Sequence, residues 1–171
     1  LWVAGNSDNK VSSSPLAAAS ATQFVALSAP LHIAFTTGGV LYVSQYVSHV
    51  VSKFIPPSTK VVTLFGVDGT SGDATGAPAD CLFNSPRTLA VDDSNEYVYL
   101  MDSNNGAVRL IAPNDRVTTL ALPGTTLGLA KTVTVAPGGT LYVADDGTPY
   151  IHVFGELPRA PTLSITIGNG N

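Results

Sequence analysis

A single cysteine, Cys81, stands in 171 residues, so no internal disulfide can form. That excludes the disulfide-dense secreted scaffolds and the four-thiolate zinc modules. Charge is also scarce: 12% of residues are charged, and eight Lys and Arg against twelve Asp and Glu give a net charge of −4. Such a balance argues against a surface devoted to phosphates and makes nucleic acid a minority partner, although it leaves room for a local basic patch. Long apolar runs are missing. Residues 15–35 come closest, but Ser20, Thr22, Gln23, Ser28, Pro30 and His32 interrupt them, which excludes a membrane-spanning helix. The first residues, from Leu1, show no basic stretch followed by an apolar one, so no signal peptide is read there. Asn84 is followed by Ser85 and Pro86, which is no glycosylation acceptor. The compartment stays open, and the weakly charged, Ser/Thr/Ala/Val-rich composition leans toward an exported or cell-surface protein.

Motifs for acyl or phosphoryl chemistry are missing as well. There is no Gly-x-Ser-x-Gly, no His-Glu-x-x-His and no Gly-Lys-Ser/Thr of the Walker type. Cys81 precedes Leu82 and Phe83, a setting for a small buried side chain rather than a reactive thiolate.

What the chain does have is 44% hydrophobic residues and a mean hydropathy of +0.26. A chain of this length buries roughly 70% of its unfolded surface, so one folded domain is expected. Its organisation comes from a repeat. An apolar, aromatic, apolar, small phrase occurs as Leu1-Trp2-Val3-Ala4, Leu41-Tyr42-Val43-Ser44, Val98-Tyr99-Leu100-Met101 and Leu141-Tyr142-Val143-Ala144. Its aromatic recurs at intervals of 40, 57 and 43 residues, and the long interval carries a Gly/Asp/Pro-rich loop over 66–80. Upstream of the last three phrases stand apolar runs at 31–35, 87–91 and 131–135. Each run leads into a turn, namely Thr36-Thr37-Gly38-Gly39, Asp92-Asp93-Ser94-Asn95 or Ala136-Pro137-Gly138-Gly139.

Downstream lie third runs at 50–55, 108–112 and 150–154, and fourth runs at 61–65, 117–122 and 162–167. The first unit offers only a weak third run at 9–13 and a fourth at 23–27. Short runs rich in Val, Ile, Thr and Tyr, with no helical period, predict about four strands per unit and an all-β fold. Four antiparallel strands in every 40-odd residues are the signature of a β-propeller blade. The units run over 1–28, 29–66, 84–124 and 127–168, with a long loop at 66–83.

One of these units resembles an NHL repeat nearly throughout. It comprises Phe83-Asn84-Ser85-Pro86-Arg87-Thr88-Leu89-Ala90-Val91-Asp92, then Val98-Tyr99-Leu100-Met101-Asp102, Ala107-Val108-Arg109-Leu110-Ile111 and Val117-Thr118-Thr119-Leu120-Ala121. The loop at 66–80 is similar to that family's glycine-rich lead-in. Gln45 and Gly5 stand where the family usually has Asp, and Ala130 where it usually has Pro. The resemblance implies a ring, commonly of about six blades, and this chain supplies fewer than four complete ones. Its first unit lacks an innermost strand. An arc of a larger propeller, completed by further blades, is the favoured reading. A small four-bladed ring and a ring closed by a second chain are the alternatives. Tyr42, Tyr99 and Tyr142 are expected to fill equivalent layers between blades.

Three histidines, His32, His49 and His152, raise a zinc site, but they fall on a first strand, after a second strand and on a third strand, at different radii. In zinc lyases of the resembled family a histidine follows the conserved Pro; the matching positions here are Leu31, Arg87 and Lys131. A calcium site would need six to eight converging oxygens, whereas Asp92, Asp93 and Glu96 sit in one turn and Asp145 and Asp146 in another. No catalytic and no metal-ligating residue is therefore assigned and no cofactor is expected, with a channel calcium or zinc ion left open. Arg87 and Lys131 start equivalent first strands, near one end of the channel, where two cations could receive an acidic segment or small anion. Gln45, Asp102 and Asp145 share a second-strand position at that end; they complete the candidate binding set, although capping their hairpins is the plainer role. The function read from this is a non-catalytic protein-interaction or scaffold module with a protein partner. The alternative is a channel-metal-dependent hydrolase or lyase whose ligands lie partly outside this chain.

Overall fold

The computed structural model describes residues 2–5, 10–13, 22–94, 96–122, 124–128, 130–147 and 150–155. They form fourteen strands: β1 (Trp2–Gly5), β2 (Lys10–Ser13), β3 (Thr22–Ala26), β4 (Pro30–Phe35), β5 (Leu41–Gln45), β6 (Val50–Phe54), β7 (Thr63–Phe65), β8 (Pro86–Asp92), β9 (Tyr97–Asp102), β10 (Ala107–Ile111), β11 (Val117–Thr119), β12 (Ala130–Val135), β13 (Leu141–Asp145) and β14 (Ile151–Phe154). One 3-10 turn, Ser103–Asn105, is the sole helical element among the described residues. The strands make four antiparallel sheets in chain order: β1-β2-β3, β4-β5-β6-β7, β8-β9-β10-β11 and β12-β13-β14. The fourth run of the last unit, 162–167, lies outside the described residues.

Local chemistry sets the hairpins. At the tip between β12 and β13, Gly138 and Gly139 take φ of 98° and 85°, values that a side chain disfavours, and the Gly139 amide donates to the Ala136 carbonyl. Between β8 and β9 the Asp92 carboxylate accepts from the Ser94 amide and hydroxyl, the local bond expected of a turn aspartate.

Burial follows from how the sheets stack. In β5 all five residues are buried, because Leu41 and Val43 face the first sheet while Tyr42 faces the third. Three apolar layers result. Val11, Leu41, Val43 and Phe54 fill the first; Tyr42, Val51, Phe65, Phe83, Leu100 and Ile111 the second; Tyr99, Met101, Val108, Val133 and Val143 the third. Tyr42 and Tyr99 thus occupy equivalent layers. Tyr142 is only half buried, because among the described residues no sheet covers its side of β13.

The glycine-rich loop is fastened rather than loose. Gly76 exchanges two backbone hydrogen bonds with Val117, the Gly66 amide donates to the Pro78 carbonyl, and the Gly72 amide donates to that of Phe83. Gly72 packs so closely on Leu82 that an added Cβ would lie 2.7 Å from it. A buried ion pair extends the attachment. Arg109 Nε donates to Asp102 Oδ2 at 2.8 Å, and its Nη1 reaches the Asp73 carbonyl and the Thr119 hydroxyl. Arg109 and Asp102 are 2% and 0% exposed, so removing one would leave an uncompensated charge in the interior. Arg109→Ala is expected to cost about 3 to 5 kcal/mol of unfolding free energy, seen as a lowered urea midpoint. An unchanged midpoint would show that the pair is solvated.

Candidate binding face at the start of the innermost strands

The strands β4, β8 and β12 lie against one another at the inner edge of the stack, each belonging to a different sheet. All three begin with the same irregularity: the pairing register shifts after Pro30, Pro86 and Ala130. A bulge re-aims the next side chains and suits a residue with no amide hydrogen. Ala130 shows that the position, rather than proline itself, sets the bulge.

The re-aimed side chains join neighbouring sheets. His32 Nδ1 accepts from the Leu89 amide at 3.2 Å, while the Ser44 hydroxyl donates to the Arg87 carbonyl at 2.5 Å. One sheet further on, the Thr88 hydroxyl does both tasks, accepting from the Val133 amide at 2.9 Å and donating to the Lys131 carbonyl at 3.3 Å. Each junction therefore holds the carbonyl of one residue and the amide two residues later on the entering strand.

This clamp presents Arg87 and Lys131 at one end of the inner strands. The Arg87 guanidinium lies 5.0 Å from the centre of the Tyr46 ring, in cation-π range. Hydrogen bonds from Ser85 and Arg87, with the charges of Arg87 and Lys131, hold the Tyr46 hydroxyl below the ordinary tyrosine value. Lys131 is exposed and pairs with Asp146 across the surface, an interaction of little stabilising weight. His49, in the left-handed region at φ 58°, supports the same end by accepting from the Ser85 amide through Nδ1 at 2.9 Å.

Gln45, Asp102 and Asp145 lie at this end too, but one layer beneath, and all three are buried. Each ties down the connector that leads into its own sheet's first strand. Gln45 Oε1 accepts from the Ser28 amide, Asp102 Oδ1 from Asn84 and Asp145 Oδ2 from Gly128. Seven residues on, each meets a partner on the next strand: Ser52 for Gln45, Arg109 for Asp102, and His152 for Asp145, whose Nε2 and Oδ2 are 4.0 Å apart. Burial pushes the Asp102 carboxyl up, against the opposing pull of the Asn84 amide, Asn105 and Arg109. Structural fastening, not the binding surface, is what the contacts of these three residues describe.

The sequence reading missed Tyr46 and Ser85. Tyr46 directly follows Gln45 in a turn, where an aromatic ring has no core to fill, and that placement was the available signal. The three histidines are engaged at separate places, and among the described residues no three His, Cys, Asp or Glu side chains are grouped to hold a metal ion. Cys81 is fully buried with its Sγ against the Pro78 carbonyl, and burial pushes its thiol up. Asp92, Asp93 and Ser94 line a groove with residues 135–138 at the opposite end of the inner strands. No helix of the described residues is long and apolar enough to cross a membrane.

No family model matches the chain, and no curated protein matches it. Solved structures do. An auxiliary nutrient binding protein from Bacteroides ovatus aligns with 84% of this chain and 42% of its own at 17% identity and a TM-score of 0.66. One from Bacteroides thetaiotaomicron aligns with 81% and 40% at 16% identity and a TM-score of 0.65. A catalytically inactive virginiamycin B lyase from Staphylococcus aureus, solved with quinupristin, aligns with 94% and 52% at 14% identity and a TM-score of 0.64. These likenesses show the fold: all-β, of the propeller type. The chain spans about half the length of these three structures, from 40% to 52%.

The junction at His32 should respond to acid. Burial holds its imidazole below the ordinary value of 6.5, so the unfolded chain takes up the proton first. Stability is then full above 6.5 and falls as pH drops toward the depressed folded value. Protonation would also remove the acceptor for the Leu89 amide. Urea midpoints at neutral and mildly acidic pH should differ less in His32→Thr, which installs the hydroxyl that Thr88 already uses. An equal pH dependence in both proteins would exclude His32 as its source.

Proposed function

We propose that the protein is a non-catalytic interaction module built of NHL-type blades, and that it holds an acidic segment of a protein partner at the Arg87 end of its inner strands. The carrying observation is the Arg87 guanidinium poised over Tyr46 with the Lys131 charge close enough to affect the same hydroxyl. An aromatic ring beneath a cation fixes the guanidinium without neutralising it, so the donors not spent on the Tyr46 hydroxyl stay available for a carboxylate. The rigid, clamped inner strands beneath supply a pre-ordered face, which lowers the ordering cost of binding. Support for the NHL reading comes from the repeated Asp or Gln at the end of the second strand, with its common bond to the connector amide.

The test uses an oligoglutamate peptide as probe. Binding to the parent protein should weaken with added salt, and Arg87→Ala should reduce affinity about tenfold, the worth of one charge-assisted contact of about 1.4 kcal/mol. Lys131→Ala should have a smaller effect, because Asp146 already offsets that charge. Equal retention by parent and the double variant Arg87→Ala, Lys131→Ala would overturn the assignment of this face.

A further inference from the structure

The second and third sheets are built alike but entered differently. Residues 66–85 lead into the third sheet, whereas only residues 27–29 lead into the second. Part of the long connector, residues 72–76, lies on the third sheet and is held through its backbone. The Gly72 carbonyl accepts from Asn105 and the Asp73 carbonyl from Arg109, the Gly72 amide donates to the Phe83 carbonyl, and Gly76 pairs with Val117 at the outer edge.

Strand register gives the counterparts of these partners on the second sheet. Tyr42 stands opposite Lys53 as Tyr99 does opposite Leu110, so Ser52 corresponds to Arg109. Across the next pair Leu64 corresponds to Thr119 and Val62 to Val117. Ser48 lies three residues after Gln45 as Asn105 does after Asp102, and Leu27 precedes Ser28 as Phe83 precedes Asn84. At the matching place on the second sheet the structure has a groove of about 250 Å³, lined by Leu27, Ser48, Ser52, Leu64 and Asp68. Val62 and Leu64 are 53% and 40% exposed, and among the described residues no strand pairs with the outer edge of β7. The short connector is the cause, because three residues bridge β3 and β4 and leave none to lie on the sheet. Gln45 Nε2 donates to Ser52 Oγ at 2.8 Å, so the Ser52 hydroxyl keeps its own hydrogen for a carbonyl acceptor. Asp68 brings the charge of the lining, and the bond from the Gly69 amide to the Ser48 carbonyl places it at the Ser48 end.

We propose that this groove is a second binding site, for a peptide segment of a protein partner that carries a basic residue and lies on the second sheet as residues 72–76 lie on the third. The Ser48 and Ser52 hydroxyls donate to two successive peptide carbonyls, in the places of Asn105 and Arg109. A lysine or arginine of the segment pairs with Asp68. The occupant is a peptide because the filled counterpart is held by its carbonyls and amides, and it is basic because Asp68 is the charge it meets. Its sign is opposite to that of the segment assigned to the Arg87 end, so one acidic segment does not serve both sites.

The test titrates two synthetic peptides of residues 71–77, one with Ser71→Lys and one with Ser71→Glu, into the whole protein and follows the amide NMR signals. The lysine peptide should shift the Ser48, Ser52 and Leu64 amides saturably and bind more tightly than the glutamate peptide. Asp68→Asn should weaken the lysine peptide about two- to fivefold, the worth of a surface ion pair, and bring the two peptides to equal affinity. Leu64→Arg, at an exposed position, should remove binding of the lysine peptide. The assignment is overturned by no saturable shift at these three amides, by equal binding of the two peptides to the parent protein, or by undiminished binding to either variant. Shifts of the same amides on raising the protein concentration without peptide would overturn it too, since the occupant would then be a second copy.

Discussion

Among the described residues no strand of one sheet pairs with a strand of the next, so the relation between neighbouring sheets rests on the clamp at the inner strands and the apolar layer behind it. A dry layer between faces is strong but has little directional preference. His32 and Thr88 add direction, because a hydrogen bond to a specific amide fixes the height at which the next strand enters. The bulge that aims them comes first in this chain of causes. Without it the side chain at that position would keep the ordinary alternation of a strand and point across its own sheet.

Below the clamps sits a second recurring device. Gln45, Asp102 and Asp145 each accept a connector amide and so fix the path by which the chain enters its innermost strand. An amide oxygen serves as well as a carboxylate for that task, which explains why Gln45 can stand where the next two sheets have Asp102 and Asp145. The partner across the hairpin varies more freely, from Ser52 to Arg109 to His152, because its requirement depends on what surrounds it. Arg109 has the glycine-rich loop to hold through Asp73, and the other two sheets lack a loop of that length.

Most of the fold was legible in the sequence because it is periodic. The four Leu/Val-aromatic phrases mark the second strands, the Gly- and Asp-bearing turns mark the hairpins, and each interval gives the number of strands. Single contacts carried no such repetition. His32 and Thr88 perform one role with different chemistry, so no shared residue type advertised the clamp, and the bulge that aligns them is invisible in hydrophobic alternation. Arg87 and Lys131 were found because they recur at one position. Tyr46 was missed because neither equivalent turn carries an aromatic residue after the Asp.

A net charge of −4 spread evenly would oppose the proposed face for acidic partners, but charge here is sorted by position rather than averaged. Asp102 is turned inward onto Arg109, and Asp145 is buried against the Gly128 amide, so neither carboxylate projects from the surface beside Arg87. Asp92, Asp93 and Glu96 belong to the turn at the far end of β8, with Asp92 five residues along the strand from Arg87. At 3.2 to 3.4 Å per residue that separation is about 16 to 17 Å, beyond a Debye length at physiological salt. The charges at the surface of the Arg87 end are therefore those of Arg87, Lys131 and Asp146, and the acidity of the whole chain enters there only as a distant, screened background.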